Sequence, residues 1–165
     1  MTTFLLATAD GVWLTNESRS EFVGLKGERI TALAASPEPG VIFASTASGR
    51  IFRTGDNGNN WELRFTLDLP KRIQSLAISP LPPHSVYAGT WPVDLFRSHD
   101  GKVWESVESF REIEGAGSWV FPPPPHVARA TSFAFDPIDS SILYVTVEVG
   151  GVMKSENGGE SWRLL

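Results

Sequence analysis

Thr54–Trp61 reads TGDNGNNW, and the pattern returns as SHDGKVW over Ser98–Trp104 and as SENGGESW over Ser155–Trp162. Each copy has a hydroxyl residue, an Asp or Asn two positions on, a glycine and a closing tryptophan. Asp56 and Asn157 suit the acceptor role toward backbone amides of a turn. Gly58 and Gly159 suit positive φ. The tryptophan is expected to fold back over its own hairpin. The middle copy, with Ser98, Asp100 and Trp104, is one residue short, which predicts a tighter turn.

The flanking sequence repeats as well. Ile30–Leu63, Ile73–Val107 and Ala130–Leu164 align along their lengths, with Trp61, Trp104 and Trp162 spaced 43 and 58 residues apart. The wider gap holds an insertion, roughly Phe110–Ala128. Each unit reads as an apolar strand, a Pro-containing turn, a second strand, a short turn, a third strand, the Asp/Asn turn and a fourth strand. Val41–Thr46, Ser85–Thr90 and Ile142–Val147 carry the β-branched and aromatic content of strands. No window has a 3.6-residue apolar period. The N-terminal FLLATAD, GVWLTNE and SEFVGLK match the second, third and fourth strands of a further unit without its first. Repeats of about 40–45 residues with four strands each predict β-propeller blades. A β-sandwich needs no motif at one position in successive units. The expected organisation is one all-β domain: a partial blade over 1–28, blades over 29–69, 70–110 and 129–165, and an insertion over 111–128.

Composition bounds the function. The 165 residues are 41% apolar and 20% charged, with a net charge of -5. That balance argues against a generalised nucleic-acid or anionic-membrane surface. No Cys is present, which removes disulfides and thiol chemistry. The opening MTTFLLATADG lacks a basic n-region and a long apolar run, so the expected location is cytoplasmic. No apolar stretch reaches about 18 residues, the length of a membrane span. His84, His99 and His126 fall in different turns, so no metal site is expected, and no cofactor motif occurs.

The three turns resemble the Asp box, S/T-x-D-x-G-x-x-W, of sialidase-like BNR-repeat propellers. Asn157 departs from it, and so does the shortened middle copy. GSWVFPPPPHVARATSFAFDP and ILYVTVEVGGVMKSENGGESW resemble bacterial BNR-repeat proteins of glycosyl hydrolase-like type. The resemblance covers most of the chain. It implies half of a six- or seven-bladed ring, with the Asp boxes away from the active face. It does not carry over the family's catalytic Tyr–Glu pair or proton donor. Tyr87 and Tyr144 lie inside second strands, where they suit core packing.

Propeller topology gathers the other turns at the opposite, top face. Arg29, Arg72 and Arg129 each immediately precede a first strand. Two readings of them stand. They form a mouth that binds carboxylate, phosphate or sulfate, or they are solvated residues paired with Glu28, Glu112 or Glu114. Trp91, Trp119 and His126 are candidate ligand contacts beside them, and Trp119 with Phe121 is equally suited to pin the insertion to its blade. Glu148 is the acidic candidate, although glycoside hydrolysis normally needs two positioned carboxylates. Pro122–Pro125 suits a stiff polyproline II arm. The reading is a non-catalytic ligand-binding or scaffold module for a glycan or small anion. The alternatives are a sialidase-like hydrolase completed by oligomerisation and a truncated propeller without activity. A homodimer that closes a ring of about eight blades is the expected partner state.

Overall fold

The computed structural model describes residues 3–68 and 70–165. Four antiparallel sheets follow one another along the chain. The first has three strands, β1 (Phe4–Thr8), β2 (Gly11–Thr15) and β3 (Ser20–Gly24). The second has β4 (Ile30–Ala35), β5 (Ile42–Thr46), β6 (Arg50–Thr54) and β7 (Glu62–Thr66). The third has β8 (Arg72–Ile78), β9 (Val86–Trp91), β10 (Leu95–Ser98) and β11 (Glu105–Ser106). The fourth has β12 (Ala130–Phe135), β13 (Leu143–Val147), β14 (Gly151–Ser155) and β15 (Arg163–Leu164). Strand order within each sheet is sequential, and the principal packing between sheets runs β1 to β4, β4 to β8 and β8 to β12. The chain is a partial β-propeller, with β4, β8 and β12 as inner strands. The first sheet begins at the position of a second strand.

A β-bulge recurs in the inner strands. Pairing with the second strand shifts between Ile30 and Ala32, between Ile73 and Ser75, and between Ala130 and Ser132. The extra residues are Thr31, Gln74 and Thr131, each exposed and each two positions after one of the arginines. Bulges of this kind bend a strand and re-aim its side chains.

The second strands of the interior blades, β5 and β9, bury both faces, because each interior blade is packed from two sides. Ile51 and Leu95 occupy the same repeat position, face the following blade and are fully buried. Three clusters fill the junctions, around Val12, Ile30 and Ala44, around Ile51, Ile73 and Val86, and around Leu95, Phe110 and Val145.

The hairpins differ from expectation in two respects. First, the buried hydroxyl is the hub. Thr54 Oγ1 accepts from the amides of Gly58 (3.0 Å) and Asp56 (3.2 Å) and donates to Asp56 Oδ1 (2.7 Å). Ser155 does the same for Gly159 (2.8 Å), Asn157 (3.3 Å) and Asn157 Oδ1 (3.0 Å). Asp56 and Asn157 each accept the amide four residues on, both at 2.9 Å. In the shorter copy Asp100 accepts instead from Lys102 and Val103, two and three residues on. Second, the tryptophans reach the preceding blade rather than only their own turn. Trp61 Nε1 donates to Val23 O in β3 (2.8 Å). Trp104 stacks on Phe65, and Trp162 meets Phe110 edge-on while bonding its own Gly159 O (3.2 Å). Gly58, at φ 95°, lies so close to β3 that a Cβ there would stand 2.8 Å from Val23 O.

The insertion is also more deeply built in than a surface arm. Phe110, Ile113 and Ala128 are buried in the junction of the third and fourth blades. Pro122–Pro125 does not run on as an extended arm, because the His126 amide donates to Pro123 O (3.0 Å) and closes a turn.

Candidate functional site

Where β8 and β12 begin, the insertion folds back over their entrances. Arg72, Gln74, Trp91, Phe121, Pro124, Pro125, Val127 and Arg129 line a pocket of about 240 Å³ there. Arg72 sits opposite Trp91 in the β8–β9 register, with its guanidinium carbon 5.3 Å from the indole ring centre. Arg129 lies 5.6 Å from the Phe121 ring, and its Nε donates to Glu148 Oε2 at 2.7 Å. Cation–π contact holds each guanidinium over an aromatic face; Arg129 spends its Nε–H on Glu148, and its terminal N–H groups, like the guanidinium edge of Arg72, are suited to meet an acceptor in the pocket. Glu148 neutralises part of one arginine, whereas Arg72 has no ion-pair partner among the described residues.

The candidate residues separate. Arg72, Trp91 and Arg129 come together, with Glu148 behind Arg129. Arg29 is exposed and does not line this pocket. Glu28 pairs with Arg50 instead of Arg29. Trp119 turns into the core, 5.9 Å from the Phe110 ring and so close to Gly150 that a Cβ there would lie 3.0 Å from the indole. His126 is spent on its own turn, with Nδ1 3.1 Å from Phe121 O. Tyr87 is buried against Phe133 and Phe135 of the next blade. His84 and His99 bond Ser79 O and Ser85 Oγ. No group of three or more metal-ligating side chains forms among the described residues.

The residues missed at the sequence level are those that fix this mouth. Asp94, only 1% exposed, is paired with both Lys71 and Arg111. It also accepts from the Leu95 amide at 3.0 Å and from Arg111 Nε at 3.1 Å. Lys71 directly precedes Arg72, and Asp94 ends the turn after Trp91, so the cluster ties the two walls of the pocket together. In the second blade Glu28 and Arg50 occupy the same repeat positions with the charges exchanged. That exchange is visible in the aligned repeats as Glu28/Arg50 against Lys71/Asp94.

No family model matches the chain, and no curated protein matches it. Solved structures do. An ancestral GH74 enzyme superposes with a TM-score of 0.75 at 21% identity, over 99% of this chain and 22% of that one. The GH74 xyloglucanase from Xanthomonas campestris gives 0.73 at 18% identity, over 97% of this chain and 28% of the other. YCF48 from Cyanidioschyzon merolae gives 0.56 at 19% identity, over 81% and 35%. The chain thus spans roughly a quarter of the GH74 structures it matches, and what the likenesses share with it is the β-propeller fold.

Proposed function

We propose that the protein is a non-catalytic propeller module that binds a small anionic ligand, an acidic sugar or inorganic oxyanion, between its third and fourth blades. We read its hairpins as Asp boxes of the BNR-repeat kind. The hydroxyl hubs at Thr54 and Ser155 and the amide-accepting Asp56 and Asn157 support that reading. The observation that carries the function is the convergence of Arg72 and Arg129 on one pocket, each seated on an aromatic ring. Guanidinium edges recognise carboxylate, sulfate and phosphate by paired hydrogen bonds. The half-buried rings of Trp91 and Phe121, which also line the pocket, supply apolar surface suited to the apolar side of a sugar ring. A hydrolase would need two carboxylates at the bond to be cut. The pocket lining has none, and Glu148 is held by Arg129.

Thermal unfolding in sulfate, phosphate, glucuronate and neutral glucose tests this. Ligand at a hundredfold excess over its Kd stabilises the folded state by about 2.7 kcal/mol. At least one of the three anions is expected to raise Tm in the wild type, with the gain lost in Arg72→Ala. No rise with any of them, or an undiminished rise in Arg72→Ala/Arg129→Ala, would overturn the reading.

A further inference from the structure

The two end blades carry faces that their interior counterparts bury. Val152 of the fourth blade occupies the repeat position of Ile51 and Leu95, yet it is 37% exposed where they are 0%. Leu165, whose amide donates to Val152 O, stands where Phe65 and Val107 stand, and it is 60% exposed against 3% for Val107. At the other end, Phe4 and Leu6 of β1 correspond to Ile42 and Ala44 of β5. They are 57% and 42% exposed where the counterparts are 5% and 0%. Trp13 and Phe22 extend this second face, packed edge-to-face on one another at 5.4 Å. One end therefore presents what interior blades offer to a following blade, and the other what they offer to a preceding one.

We infer that these two faces dock on each other between two copies of this chain. The first blade of each copy packs against the fourth blade of the other. The contact continues the junction already made three times inside the chain. At the third–fourth junction Leu95 and Val145 share one cluster. Their equivalents across the new contact are Val152 and Leu6. Charge agrees with this register. Arg97, on the face toward the next blade, reaches Glu160 in that blade's hairpin (2.7 Å). Lys154 holds the same repeat position in the fourth blade, with Arg163 beside it in the β14–β15 register, and the two cations share the single carboxylate of Glu156 in their own hairpin, at 2.5 and 3.8 Å. The first blade's hairpin offers the exposed Glu17. Because the contact is made twice about a twofold axis, it closes and leaves neither face bare. The assembly has eight sheets, two from each copy being the end blades.

The absence of cysteine makes the test direct. Light scattering is expected to give twice 18.1 kDa for the wild type and a folded 18.1 kDa particle for Leu6→Glu. Under mild oxidation, Leu6→Cys and Val152→Cys copies are expected to stay uncrosslinked when kept apart and to form a covalent dimer when mixed. A wild-type monomer at high micromolar concentration would overturn the inference, and it is the result expected if further blades of a longer chain cover these faces. So would crosslinking of Leu6→Cys copies to one another, which would place like face against like.

Discussion

The second–third and third–fourth blade junctions are built from the same repeat by different means. In the first, β7 runs five residues, and its Phe65 stacks on Trp104 at 5.4 Å and packs on Phe96 at 5.5 Å. In the second, β11 has only two residues, and the chain leaves the sheet for the insertion. Phe110 from that insertion then meets Trp162 edge-on at 5.3 Å. A short strand is thus offset by a wedge from the linker. The difference also creates the pocket, because a linker long enough to supply Phe110 has further length to lay Phe121 and Pro125 over the mouth.

The comparison breaks most directly at the wedge. Phe110 is 2% exposed. Phe110→Ala is expected to cost about 3–5 kcal/mol, as large-to-small core changes do. Urea denaturation showing a loss below about 1 kcal/mol would mean that the insertion is decoration on a junction held by β11 and β15 alone. The charge-exchanged bridges sharpen the contrast. Asp94→Asn strips a counter-charge from Lys71 and Arg111, whose side chains keep 33% and 44% of their exposure. That partial hydration puts the cost at about 3 kcal/mol, the low end for breaking a buried pair. Glu28→Gln, at the equivalent and more open bridge, is expected to cost less than about 1 kcal/mol. Equal shifts in urea midpoint for the two would remove the distinction between the blades.

The smallest effect is local and depends on pH. Three oxygen-directed hydrogen bonds, from the Thr54 hydroxyl and from the Asn60 side chain and amide, hold the Asp56 carboxyl at about 2, below its ordinary 3.8. A depressed folded-state value means that the stabilisation is complete above the ordinary value and is lost as pH falls from about 4 through about 2. Asn157 has nothing to titrate over that range. The Asn60 amide shift in NMR is therefore expected to move with a midpoint near 2, and that of Ser161 to stay flat. A midpoint at the ordinary carboxylate value would show that these bonds do not favour the charged form.

Much of the architecture was legible because the repeat carries it. The strand assignments at Val41–Thr46, Ser85–Thr90 and Ile142–Val147 lie within one residue of β5, β9 and β13. Three aligned units expose a periodicity that no single strand would. The arginine positions were legible for the same reason, but their grouping was not. Whether Arg29 joins Arg72 and Arg129 depends on where the insertion lands, and 111–128 occurs once, with no second copy to align. Of the two readings open for Trp119, the packing against Phe110 favours pinning the insertion, and His126 Nδ1 lies on Phe121 O of its own turn. The Thr54 and Ser155 hubs could have been found, since a hydroxyl opens all three turns, but the side-chain acceptor drew attention to Asp56 and Asn157. Asp94 was hidden by composition, being one acid among many until Lys71 and Arg111 surround it.

The recurring bulge has an evolutionary consequence. Thr31, Gln74 and Thr131 are each the one residue of the inner strand with no opposite number in the ladder. Their neighbours are committed to register, since a one-residue slip would turn every core side chain outward. The bulged residues have no such duty, and all three are exposed. Thr31 and Thr131 still bond hydroxyls of the second strand, Ser45 at 2.9 Å and Thr146 at 2.7 Å, whereas Gln74 makes no such bond among the described residues. Gln74 already faces the pocket. Variation at Gln74 would change the lining of the mouth while the blades go on folding by the same rules.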